Sequence, residues 1–172
     1  MSPPPQTCHG SYNFGYIDTS QYTGDITYTP ASSLLGFWQW TSTGYSVGDG
    51  AFNPVDIDSV ADTGTSIVLL PAPIVRDYWD HVTGGHYDED QKAYVFPCSS
   101  ALPDLSFGVE NATISIPGEY VRFGHAHSES ETCYGGIQNN RGGLSIWGDV
   151  ALKAAFVVFD VGQTRIGWAQ AR

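Results

Sequence analysis

The residues with the clearest chemical potential are Asp62-Thr63-Gly64-Thr65-Ser66, set between Val60-Ala61 and the apolar run Ile67-Val68-Leu69-Leu70-Pro71. An acid is planted beside a core strand. Asp followed by Thr and Gly makes a tight turn whose backbone amides and hydroxyls point back at the carboxylate and hold it ionised in one position. A carboxylate fixed in this way is what general acid-base chemistry uses. The same tripeptide also serves as an ordinary Asx-type turn at the end of a strand, so alone it does not separate a catalytic role from a structural one.

Cys8, Cys98 and Cys133 lack the two-to-four-residue spacing of a structural zinc site. Cys98 and Cys133 lie in segments that read as folded, whereas Cys8 sits in a Pro-rich leader. The internal pair is therefore the favoured disulfide, with three reduced thiols as the alternative. Among His9, His81, His86, His125 and His127, the last two are close in sequence and read as a solvated loop in preference to a metal site. No metal and no cofactor are expected. Asn111-Ala112-Thr113 has the form of an N-glycosylation acceptor, which carries meaning only in a secreted chain.

The elements that must position these residues are mostly strands. Asp25-Ile-Thr-Tyr-Thr29, Gly36-Phe-Trp-Gln-Trp40 through Tyr45, and Ala112-Thr-Ile-Ser-Ile116 are rich in β-branched and aromatic residues and bounded by Gly, Pro or Asp. Two stretches predict short helices: Pro73 to Thr83, where Ile74, Tyr78 and Val82 recur one turn apart after a proline start, and Val150 to Ala155. Gly84 to Lys92 and His125 to Thr132 lack apolar periodicity and read as exposed loops. Residues 1–10 form a Pro-rich leader expected to be flexible, and 11–172 one mainly β domain.

Composition narrows the function further. The 172 residues carry 18 acidic against 7 basic side chains, a net charge of −11, with 41% hydrophobic and 13% aromatic content, enough for a core. No Lys or Arg precedes Arg76, and Arg76, Arg122, Arg141, Arg165 and Arg172 are too dispersed to form a phosphate-binding patch. Nucleic acid is not an expected partner. No run approaches the roughly 18 apolar residues of a membrane-spanning helix, so no membrane partner is expected either. An acidic surface suits acidic surroundings, where protonation of Asp and Glu relieves self-repulsion. The first seven residues lack the basic start and apolar stretch of a secretory signal peptide.

Taken together, Tyr12-Asn-Phe-Gly-Tyr-Ile-Asp18, Gly36-Phe-Trp-Gln-Trp40, Ala61-Asp-Thr-Gly-Thr65, Tyr94-Val-Phe-Pro-Cys98, Cys133-Tyr-Gly-Gly-Ile-Gln138 and Ile146-Trp-Gly-Asp-Val-Ala-Leu-Lys-Ala-Ala-Phe-Val-Val-Phe-Asp160 resemble the pepsin-like aspartic endopeptidases, in particular their secreted fungal branch. The resemblance runs from about Gly10 to Arg172 and covers only the C-terminal of that family's two β-rich lobes. It implies a pepsin-like acid protease lobe of closed, packed sheets, secretion, and a peptide or protein substrate. It implies Asp62 as the catalytic carboxylate, its outer oxygen steadied by the Gly64 amide and the Thr65 hydroxyl, with Thr63 reaching towards the opposite lobe. Ile146-Trp147-Gly148 matches the segment behind the catalytic turn, where Trp147 replaces a usually smaller residue and needs extra room. Val60, Leu69, Leu144 and Ile146 match leaving-side substrate pockets, though each also suits plain core. Cys98–Cys133 matches the lobe's disulfide, and none of the histidines matches a catalytic position.

In that family two carboxylates held about 3 Å apart share a proton and divide the work of base and acid on an attacking water. This sequence has no second Asp-Thr-Gly; Asp18-Thr19-Ser20 and Asp49-Gly50-Ala51 do not resemble it. Three readings follow: a lobe inactive alone that needs a second lobe, a homodimer that pairs two Asp62 turns in the manner of retroviral proteases, and a non-catalytic peptide-binding or decoy lobe. In the second, Cys8 could join two chains.

Overall fold

The computed structural model describes residues 10–32, 34, 36–126 and 130–172. Leader residues 1–9, with Cys8 and His9, and His127 lie outside the described residues. Among the described residues the fold is mainly β, built from three sheets and three short helices.

The largest sheet has seven strands in the order β11-β4-β12-β3-β2-β7-β8. Its central members are β2 (Gln39–Val47) and β3 (Asn53–Ala61), an antiparallel hairpin whose register shifts between Ser42 and Gly44. β7 (Leu105–Val109) and β8 (Ala112–Ile116) extend it on one side. β4 (Val68–Leu70), β11 (Ile137–Asn139) and β12 (Ser145–Trp147) extend it on the other. A second sheet orders β5 (His86–Asp88), β6 (Ala93–Pro97), β10 (Thr132–Gly135) and β9 (Arg122–His125) as β5-β6-β10-β9. The third places β14 (Arg165–Ala171) between β1 (Tyr22–Pro30) and β13 (Ala155–Asp160). Gln170 ties it to the first: its side chain accepts from Ser115 N at 2.9 Å and donates to Ser115 O at 3.0 Å and Ala154 O at 2.8 Å.

The expected helices form, but shorter. α1 spans Ala72–Asp80, not Pro73 to Thr83; Pro73 presets its first turn, and Ile74, Val75, Tyr78 and Trp79 are buried. α3 spans Asp149–Leu152, because Ala155 already begins β13. α2, Gly118–Val121, was not predicted; one turn is too short to show a 3.6-residue period. The two stretches read as loops also need correcting. Residues 84–92 contain β5, whose His86, Tyr87 and Asp88 pair with Val95, Tyr94 and Ala93. His125 ends β9 and Thr132 begins β10, and these strands pair antiparallel, so both ends of that stretch belong to strands. Ladder hydrogen bonds hold these polar strands in place, and hydrophobic alternation does not report such bonds.

The core centres on large aromatics. Phe107 stacks on Trp147 at 4.3 Å between ring centroids and meets Trp168 edge-on at 5.2 Å, while Trp40 lies 5.2 Å from Trp168. All four are buried, so strands β2, β7, β12 and β14 are locked by one aromatic cluster.

Candidate functional site

Asp62 follows the last residue of β3 and begins the turn that leads into β4. β12 threads between those two strands, parallel to β3 and antiparallel to β4, with Ile146 opposite both Val60 and Leu69. The turn is therefore anchored from behind. Asp62 N donates to Trp147 O at 3.1 Å, Asp149 N to Thr65 O at 2.8 Å, and Val150 N to Ser66 O at 3.1 Å. Gly148 makes this approach possible: a Cβ there would collide with the backbone oxygens of Thr65 and Ile67.

The carboxylate of half-buried Asp62 is held at both oxygens. Gly64 N–H donates to Oδ1 at 2.9 Å, and the Thr65 hydroxyl donates to Oδ2 at 2.6 Å. The expectation that both donors meet on one outer oxygen is thus corrected: the turn distributes them, because the Gly64 amide and the Thr65 side chain approach the carboxylate from different residues of one tight loop. Thr63 is exposed at the tip and free to contact an opposing surface.

Trp147 finds its room by stacking on Phe107, which places the indole fully inside the core behind the turn. Its Nε1–H has no acceptor among the described residues.

Two depressions flank the turn. One, of about 330 Å³, contains Asp62 and Thr63 and is walled by Tyr12, Phe37, Trp38, Val60 and Phe159. The other, of about 360 Å³, begins at Ile67 and Leu69 and is lined by Tyr87, Tyr134, Gln138, Asn139, Asn140, Lys92 and Arg141. Val60 and Leu69 thus lie on different depressions. Half-buried Ile146 bridges them in the sheet, and half-buried Leu144 lines neither. Among the described residues, Asp62 is the single carboxylate lining either depression. Tyr12, Phe37, Trp38 and Phe159 were not picked out as site residues, although all four stand in the segments that carry the family resemblance; periodicity does not tell which loops fold over a distant acid.

Cys98 and Cys133 form a disulfide with Cα atoms 4.9 Å apart. His125 stands opposite Cys133 across β9 and β10, its Nδ1 2.7 Å from Ser130 O and 3.5 Å from Cys98 Sγ. These three residues cluster closely enough for a metal, but the disulfide consumes both thiolates. His81 Nδ1 lies 2.7 Å from Asp77 O and His86 Nδ1 3.0 Å from Gly84 O, both exposed and remote from the turn in sequence.

The threaded turn and the lobe that carries it have relatives. A model of the family "eukaryotic aspartyl protease" matches residues 1–171, so the chain belongs to that family. It is 55% identical over 152 residues to endothiapepsin of Cryphonectria parasitica, covering 88% of this chain and 36% of that protein. It is 47% identical over 162 residues to podosporapepsin of Podospora anserina (93% of this chain, 38% of the relative) and 42% over 161 residues to penicillopepsin-3 of Penicillium janthinellum (93% and 41%). The chain therefore spans well under half the length of these fungal relatives.

Proposed function

We propose that this chain is one lobe of an extracellular aspartic endopeptidase, supplying one of the two carboxylates that activate a water for attack on a peptide bond. The observation that carries the reading is the Asp62 carboxylate, fixed at both oxygens in a β12-anchored turn at the rim of an open depression. In this role the ionised member of the pair takes a proton from water as it attacks the carbonyl, and the protonated member polarises the carbonyl oxygen and passes its proton towards the leaving nitrogen. Asp62 can fill one of these roles at a time. With no second carboxylate lining the depression among the described residues, the lone chain is inactive in this reading. Val60, Leu69, Leu144 and Ile146 are proposed as pocket residues for apolar substrate side chains, with Thr63, Gly64 and Thr65 supporting the turn and Ile146, Trp147 and Gly148 backing it.

A second reading has the partner carboxylate come from another copy of the chain. It is favoured by the exposed aromatics beside the site: Tyr12 and Phe37 are 75% and 54% exposed, with Phe14 at 88%. The deciding experiment measures cleavage of an acid-unfolded protein substrate across protein concentrations, for the chain and for Asp62→Asn. No cleavage at any concentration supports the lone-lobe reading. Cleavage that rises with the square of concentration at low occupancy and vanishes in D62N supports the homodimer. Cleavage by D62N equal to that of the unaltered chain overturns both.

A further inference from the structure

We propose that Asn111 is the acceptor of an N-linked oligosaccharide, carried on the β7–β8 hairpin tip at an edge of the large sheet, three strands across from β3. Asn111-Ala112-Thr113 is the single Asn-X-Ser/Thr in the 172 residues. The sequence leaves its meaning open; the fold supplies the argument.

The last ladder pair of β7 and β8 is Val109 with Ala112, so Glu110 and Asn111 alone make the connection. Asn is common in such two-residue turns because it tolerates the left-handed conformation. Here that conformation falls on Glu110, whose φ is 52°. Glu110 is tied down to bear it: its Oε1 accepts from the Thr29 hydroxyl at 2.6 Å and its carbonyl from the Thr43 hydroxyl at 3.2 Å. Asn111 does neither job. It is exposed, its φ is not positive, and its carboxamide has no hydrogen-bond partner among the described residues. The usual structural reasons for an Asn at this place are absent. Thr113, whose hydroxyl completes the acceptor motif, is exposed as well.

The position tolerates a large substituent. β2 and β7 intervene between β3 and β8, so the tip stands about 14 Å from the Asp62 strand at three strand spacings of about 4.8 Å. β8 is also a sheet edge, clamped by Gln170 only at Ser115. A glycan rooted next to Ala112 shields the remaining edge from pairing with another chain. In the transfer the Asn111 amide nitrogen forms a bond to the anomeric carbon of a lipid-pyrophosphate-linked oligosaccharide. The carbon–oxygen bond to pyrophosphate breaks, lipid pyrophosphate leaves, and the amide gives up one proton.

The inference rests on the extracellular part of the proposed function and not on proteolysis, so it is tested without an activity assay. The full chain behind a cleavable signal sequence is translated with endoplasmic-reticulum microsomes, alongside N111Q, T113A and T113S. The expected result is one glycosidase-sensitive upward gel shift in the unaltered chain and T113S, lost in N111Q and T113A. An unshifted chain, or a shift that survives in N111Q, overturns the proposal. In a eukaryotic secretion host, peptide mass spectrometry after enzymatic deglycosylation should read Asp at position 111. Secreted, folded chain with unmodified Asn111 overturns it equally.

Discussion

At the residue scale, the site depends on two neighbours of the turn that touch no substrate. Gly148 lets backbone oxygens come where a side chain would stand, so Gly148→Ala should destabilise the chain by about 3 kcal/mol and loosen the Asp62 turn; urea unfolding and amide exchange at 62–66 measure both. Trp147 contributes ring area but leaves its N–H without an acceptor. Trp147→Phe should therefore shift stability by under about 1 kcal/mol, whereas Trp147→Ala should cost about 3–5 kcal/mol. Equal large losses in both would show that indole size, and not the ring stack, supports the turn.

At the element scale, two tyrosines fasten α1 to the sheet around it. The Tyr45 hydroxyl of β2 donates to Asp77 Oδ2 at 2.8 Å, and the Tyr78 hydroxyl of α1 donates to Pro103 O at 2.9 Å. Burial, with the Asp77 hydrogen bond and charge adding to it, pushes the Tyr45 hydroxyl up to about 12; burial also raises Tyr78, reinforced by the Asp104 charge. A raised tyrosine holds its proton in the fold while the unfolded chain loses it near pH 10. Its contribution is complete below pH 10 and is lost as pH rises towards 12. Unfolding free energy should therefore fall across that window, and Tyr45→Phe should flatten the slope. An unchanged slope in the variant removes Tyr45 from the account. Asp160, lowered chiefly by its bond from Arg165 Nε at 2.8 Å, acts in the opposite sense, losing its contribution in acid. The second sheet has its own fastening: Cys98–Cys133 closes a 35-residue separation beside β6 and β10, and replacing both with Ala should cost about 2–4 kcal/mol in denaturant unfolding.

At the scale of the whole molecule, charge and apolar surface oppose each other. A net charge of −11 resists association at neutral pH, while exposed Tyr12, Phe14, Tyr16 and Phe37 favour it. Near the sequence pI of about 4.5 the repulsion is largely gone. Sedimentation at micromolar concentration should show more self-association at pH 4.5 than at pH 7, with the gap narrowed by salt. A monomer at both pH values would count against the homodimer.

Much of this was legible in the chain of letters. Asp62-Thr63-Gly64-Thr65 announces a carboxylate in a tight turn because the turn is local chemistry, written in adjacent residues; Ala112–Ile116 announces β8 because β-branched alternation is local too. The pairing of Cys98 with Cys133 was favoured from the order of folded segments and carried further by family resemblance. What the tertiary structure alone decided is non-local. It set β12 between β3 and β4, assigned Gly64 and Thr65 to different carboxylate oxygens, put Val60 and Leu69 on two separate depressions, and brought Tyr12 and Phe159 from the two ends of the chain to one acid. Such contacts depend on strand register and on which loops close over which strand ends, and register between distant strands is set by the faces they bury together and the turns that join them, which no single stretch of sequence displays.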